Sequence, residues 1–197
     1  MRVLLDNGHG ENTPGKRSPD NSILEWKWNR EVAVRVERIL TRDGIDVQRI
    51  VVGNDDVPIN QRVKLVNKHC LLLGAKNVLL VSIHINAAGN GSKWLSAHGW
   101  SIFVSNNASD SSKKAAECIY DAVDAYGWSM RKPSPNQKYW QGNLGMCRDS
   151  KCPAVLVENF FMDNKEDAEF LAKESTKDAL AQAIASGIVN YILKAKS

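Results

Sequence analysis

Apolar and polar positions along this chain alternate between two periods, that of a buried strand and that of an amphipathic helix. Residues 2–6 (RVLLD) are a short apolar run broken at Asn7-Gly8, the reading of a buried strand. From 25 to 43 the apolar side chains Val32, Val36, Ile39 and Leu40 recur at helical spacing, and Gly44 follows as a stop. The β-branched stretch 45–52 predicts a second strand. Asp56 and Pro58 then open a second helix that runs to about Leu73 and closes at Gly74. The run 77–85 (NVLLVSIHI) is the most apolar of all and predicts a central strand covered on both faces. Another strand is expected over 99–105 (GWSIFVS), and Ser109 caps a third helix that ends at Tyr126 before Gly127. The segment 128–142 is polar, carries Pro133 and Pro135, and reads as a mobile loop. A last strand over 154–158 (AVLVE) is followed by helices near 164–172 and 175–194. Strands separated by helices of this length predict an α/β fold: a single domain over 1–197, a twisted, mostly parallel sheet of about six strands, and helices on both faces. No repeat, linker or appended binding module is visible.

Composition narrows the class without naming a function. With 43% apolar and 24% charged residues the chain falls among soluble globular domains, and fibrous or wholly disordered readings are excluded. A net charge of +4 is too small to argue for nucleic acid. No stretch approaches the ~20 apolar residues of a membrane span. The N-terminus turns polar after five residues, so no signal peptide is expected. The four cysteines contain no C-x-x-C pair; reduced, buried thiols are expected, with Cys147 and Cys152 the one pair near enough in sequence to close a small loop.

The candidate chemistry sits where strands stop, because open α/β sheets gather reactive groups at the carboxyl ends of their strands. His9 follows the first strand, His84 ends the central one and Glu158 ends the last. One such histidine is commonly structural; two, with a glutamate, form a pattern. Glu25 opens the first long helix, where an acidic residue is also favoured by the helix dipole alone. With His9 and His84 it completes a two-histidine, one-carboxylate set that would leave zinc one open position for water. Glu158 is then left over as general base. Gly8 and Gly10 flank His9, expected there so that the backbone can approach the metal, and the spacing is not that of a phosphate loop. His69 and His98 read as structural, and Arg62 and Asn67 as braces for the sheet. Either Trp26 or Trp28 is expected beneath the metal site. Trp128, Tyr139 and Trp140 around the polar loop offer faces for stacking on sugar rings.

The pieces D-N-G-H-G (6–10), Glu25 with Asn29, Arg62 to Asn67, S-I-H-I-N-A (82–87) and P-A-V-L-V-E-N-F-F-M-D-N (153–164) resemble zinc-dependent N-acetylmuramoyl-L-alanine amidases, the peptidoglycan hydrolases of bacteria and their phages. The resemblance spans about residues 3–193. It implies one zinc per chain held by His9, Glu25 and His84, catalysis by Glu158, and cleavage of the amide between N-acetylmuramic acid and L-alanine of the stem peptide. Asn86, Trp128 and Trp140 are the expected substrate contacts. The chain departs from the family pattern in three places. Asn7 stands where Pro is usual, Asn159-Phe160-Phe161 where x-G-F is usual, and Ile50 and Val51 near the usual Thr-Arg.

The expected partner is peptidoglycan or a muropeptide, met by a monomer with no nucleic acid and no membrane span involved. The expected place of action is the bacterial wall, as a phage lysin released through a separate pore or as the mature form of an exported autolysin. Two rivals stand beside this reading. One is a zinc peptidase or carboxypeptidase on a similar sheet, for which Arg131 or Arg148 would grip a terminal carboxylate. The other is a catalytically silent wall-binding relative, which would be expected to lack ligands.

Overall fold

The computed structural model describes residues 1–195 and contains one six-stranded sheet. Its strands are β1 (Arg2–Asn7), β2 (Asp46–Arg49), β3 (Val78–Asn86), β4 (Ser101–Ser105), β5 (Trp140–Gly142) and β6 (Ala154–Phe161), in the order β2-β1-β3-β6-β4-β5. Neighbours are parallel except β4 against β6. The mostly parallel α/β sheet expected from the apolar pattern is therefore present. β1 and β3 are near-continuous apolar runs because both of their faces are covered.

The six helices divide unequally between the faces. α1 (Glu25–Arg42), α3 (Asp110–Asp124) and α6 (Glu174–Lys194) pack over one face, and their inward residues join Val3, Leu5, Val81, Ile83 and Val157 in the larger core. α5 (Lys165–Leu171) sits beside them, its C-terminal Leu171 carbonyl accepting a hydrogen bond from buried Trp28. On the other face, among the described residues, lie only α2 (Ile59–Leu73) and the short α4 (Gly145–Asp149), over a smaller core of Leu4, Val66, Leu80, Met146 and Leu156. Local signals act where expected: the Ser109 hydroxyl accepts from the Ser112 amide at the start of α3, and Gly44 closes α1 at a left-handed φ of 74°.

Four expectations need correction. β2 is shorter than the 45–52 run, because the chain peels away after Ile50 donates to the Leu5 carbonyl. The last strand extends past Glu158 to Phe161. The segment 128–142 is not a plain loop: Trp140–Gly142 pairs with β4, and Met130 bridges to Trp100. α4 had no periodic signal to announce it, being five residues long with no side-chain cap. All four cysteines are buried free thiols, Cys147 and Cys152 included. Among the described residues no helix is long and apolar enough to cross a membrane.

Candidate metal centre

The carboxyl ends of β1, β3 and β6 converge on one cavity of about 450 Å³, whose walls include His9, His84 and Glu158. Side chains alternate across the sheet, so Leu4 and Asp6, Leu80 and His84, and Leu156 and Glu158 share the face carrying α2 and α4. His84 and Glu158 are register partners on adjacent parallel strands. Glu25 arrives from the first turn of α1, its Oε1 lying 3.1 Å from His84 Nδ1 and 3.5 Å from His9 Nε2. The same oxygen accepts the Ile85 amide at 3.1 Å, which ties the helix start to the end of β3. The two imidazole rings meet edge to face, 4.9 Å between centroids.

Each position is fixed by local structure. His9 stands at φ 63°, a strained conformation for a side chain of its size. Its carbonyl is clamped by the Arg30 and Arg62 guanidiniums, each at 3.0 Å. Arg62 is buried and saturated. It donates to Asp6 Oδ1 at 2.7 Å, to the Asn7 and Val57 carbonyls and to Asp56. Asp6 in turn accepts from Ser82. Arg62 thus braces the loops around His9 more than the sheet, and Asn67 braces the Asp149–Lys151 turn. A Cβ on Gly8 would lie 2.0 Å from the His84 ring, and one on Gly10 would lie 2.0 Å from the Asp56 backbone. These glycines leave room for the second imidazole and a neighbouring loop, a more specific reason than approach to a metal.

The electrostatics separate the two glutamates. Burial would raise Glu25, but the His84 hydrogen bond and the charges of His84 and His9 outweigh it and hold the carboxyl below its usual range. Burial pushes Glu158 up to about 8, with His84 opposing and Glu25 adding to the rise. Burial also takes His9 down to about 4, whereas His84, more deeply buried still, is raised by its hydrogen bond to Glu25 and by that carboxylate's charge. Glu25 Oε2 and Glu158 Oε2 are both buried without a hydrogen-bond partner. Buried carboxylate oxygens are rarely left so in a purely structural role.

His9, Glu25 and His84 bring one donor atom each to within 4.8 Å of the others. Tetrahedral zinc with bonds of about 2.1 Å needs its ligands roughly 3.4 Å apart, close to the two Glu25–imidazole separations of 3.1 and 3.5 Å. The donor set, two imidazoles and a carboxylate with a spare oxygen, fits that ion.

Other sequence-flagged residues lie elsewhere. Asn86 ends β3, its side chain turned back on the Ala87 amide. Trp128 packs on Tyr126, Phe160 and Phe170, and Trp140 stacks on Phe103 at the sheet edge; no residue of 128–142 lines the cavity. Trp26 lies under Arg30, and Trp28 is held in the larger core; neither lines the cavity. His69 meets Arg2 and His98 meets Ser129, as structural histidines do. Sequence reasoning missed Arg30 and Asn159. Asn159 bonds the His84 carbonyl at 2.9 Å and accepts Trp100 Nε1 at 2.9 Å. Phe160 takes the usual glycine's position at φ 63°, where β6 shifts register against β3, and its ring turns into the aromatic cluster rather than the cavity.

Comparison with known proteins agrees with this geometry. The sequence pattern of N-acetylmuramoyl-L-alanine amidases matches residues 3–190. The endolysin of Bacillus phage SPP1 is 30% identical over 99% of this chain and 68% of its own length. The amidase LytC of Bacillus subtilis is 28% identical over 96% of this chain, which spans only 35% of that protein. Among solved structures, an N-acetylmuramoyl-L-alanine amidase from Clostridium difficile 630 superposes with a TM-score of 0.83 at 28% identity, over 100% of this chain and 98% of that one. With the family pattern matched from the first strand into the last helix, and this fold beneath it, the chain belongs to the N-acetylmuramoyl-L-alanine amidase family.

Proposed function

We propose that this chain is a zinc-dependent peptidoglycan hydrolase acting at the bacterial wall as one catalytic domain. Its reaction is cleavage of the amide between N-acetylmuramic acid and L-alanine of the stem peptide. The observation that carries the reading is the convergence of the donor atoms of His9, Glu25 and His84, with both histidines and Glu158 lining one cavity. Zinc bound by the first three would act as a Lewis acid, activating water and polarising the amide carbonyl. The protein residues supply the rest. Glu25, held ionised between two imidazoles, offers negative charge to the cation. Glu158 has a free buried oxygen on the same cavity, so when ionised beside the cation it can take a proton from the attacking water and return it to the leaving amine. The Arg62–Asp6 pair and the Arg30 clamp hold the His9 loop so that the donors do not have to reorganise.

The cavity weighs against a carboxypeptidase. Arg131 lies over the Phe161 ring and Arg148 is paired with Asp149, and neither is among the lining residues. Arg62 does line it, but its donors are already engaged by protein acceptors. A silent relative is disfavoured by the presence of all three donors and the free carboxylate together. Mass spectrometry of products from purified peptidoglycan tests the reading. New L-alanine amino termini matched by newly freed lactyl carboxyls are expected; new termini within the stem peptide would indicate a peptidase instead.

A further inference from the structure

Ser101 opens β4 directly opposite Glu158, the two being register partners in the antiparallel pairing of β4 with β6. Opposed residues of an antiparallel pair project from the same face, with Cβ atoms about 4.5–5.5 Å apart. The neighbouring pairs fix which face that is. Ile102 and Val157 both enter the larger core, whereas Phe103 and Leu156 both pack in the smaller one, as Ser101 and Glu158 must by alternation. Ser101 is 1% exposed, and its Oγ has no hydrogen-bond partner. Glu158 Oε2 has none either. Two residues with orphaned polar atoms therefore oppose each other on one face, their hydroxyl and carboxylate not bonded to each other but brought together by a change of side-chain rotamer, although buried hydroxyls and carboxylates are almost always satisfied.

The register that opposes them is pinned from behind. Trp100, one residue before Ser101, donates to Asn159, one residue after Glu158, and Asn159 donates on to the His84 carbonyl. β4, β6 and β3 are thereby cross-linked on the opposite face at the level of the site, so Ser101 cannot slip away from Glu158. A serine hydroxyl rotates freely about its Cβ–Oγ bond; it can donate to a carboxylate and, once that group is protonated, accept from it.

We propose that Ser101 is a positioning residue for Glu158, its hydroxyl holding the carboxylate in the rotamer that faces the scissile amide. The proposal rests on the reading of Glu158 as the base. Ser101 itself forms no bond to substrate and exchanges no proton with it.

The test is steady-state kinetics on a soluble muropeptide, with zinc content and melting temperature measured on the same samples. Ser101→Ala is expected to lower kcat by roughly ten- to a hundred-fold, the range for losing a hydrogen bond to a charged catalytic group, with KM within about two-fold. Zinc content and melting temperature should stay at parental values. Ser101→Thr should keep most of kcat, while Ser101→Val, matched to Thr in shape, should behave like Ala. That pair decides the matter if the Ala variant proves unstable. In a Glu158→Gln background, Ser101→Ala should cost much less than it does alone, because the two act as a unit. Full kcat for Ser101→Ala or Ser101→Val while Glu158→Gln is inactive would overturn the role of Ser101 and leave the base intact. Equal loss for Thr and Val, or an undiminished loss beside Glu158→Gln, would also overturn it. A fully active Glu158→Gln would remove the base assignment, and this proposal with it.

Discussion

On the face covered by α1, α3 and α6, the inward positions of the central strands are apolar at Val3 and Leu5, Val81, Ile83 and Ile85, and Val155 and Val157, and turn polar only at the buried amides Asn7 and Asn159. On the face covered by α2 and α4, the same strands begin apolar at Leu4, Leu80 and Ala154 and turn polar at Asp6, Ser82, His84 and Glu158. The strands are identical; only the parity of the residue differs. What differs above them is cover. Three long helices close the first face, whereas a five-residue helix and one long one leave the carboxyl ends of the second open as a cavity. Stability and chemistry are thus assigned to opposite faces of one sheet, and a substitution should reveal which face it is on.

The largest expected effect is on the open face. Chelation should take amidase activity to background and added zinc should restore it, with melting by circular dichroism showing a lower midpoint for the chelated protein. Activity that survives exhaustive chelation would remove the metal from the account. Arg62→Ala comes next. It leaves the Asp6 carboxylate buried without its cation, a loss of about 3–5 kcal/mol by urea denaturation. A loss below ~1 kcal/mol would mean that the His9 loop is held by other contacts.

On the closed face, Ile184→Ala opens a cavity among fully buried neighbours. It should cost about 2–5 kcal/mol in stability while leaving kcat per folded molecule unchanged. A fall in kcat would show that the faces are coupled. Phe160→Gly sets two effects against each other. Relief of the left-handed backbone returns about 1–2 kcal/mol, and loss of the buried ring against Trp128 and Phe170 removes about 3–5. A net destabilisation with normal zinc content is expected; a more stable variant would show that backbone strain outweighs packing there. Leu144→Ala, on the cavity wall, should have the smallest effect on stability, under about 1 kcal/mol. Its effect should appear as a raised KM, and an unchanged KM would place substrate elsewhere.

Much of this division was legible in the sequence, because apolar runs that stop at a histidine or a glutamate mark strand ends as well as candidate chemistry. β1, β3 and β6 announced themselves this way, and His9, His84 and Glu158 came with them. Other features depend on neighbours that periodicity does not encode. Trp140–Gly142 is a strand because the edge of β4 and the Phe103 ring receive it, and five residues with no side-chain cap give α4 no signal. The aromatic residues of 128–142 looked free to meet sugars; Trp128 instead closes the cluster with Phe160 and Phe170. Arg30, five places after Glu25, reads as an ordinary polar position on a helix, and only the tertiary fold brings the His9, Gly53 and Asn54 carbonyls to it. The missing family glycine at Phe160 was visible, but its consequence was not, since the ring turns away from the cavity.

The central claim is that Glu25 holds metal and Glu158 moves protons. Metal content and turnover measured together on Glu25→Gln and Glu158→Gln test it most directly. Glu158→Gln should retain stoichiometric zinc while turnover falls by roughly two to four orders of magnitude. Glu25→Gln should bind zinc weakly or not at all, and lose activity for that reason. Zinc lost from Glu158→Gln but kept by Glu25→Gln would reverse the two roles, and a fully active Glu158→Gln would contradict the account.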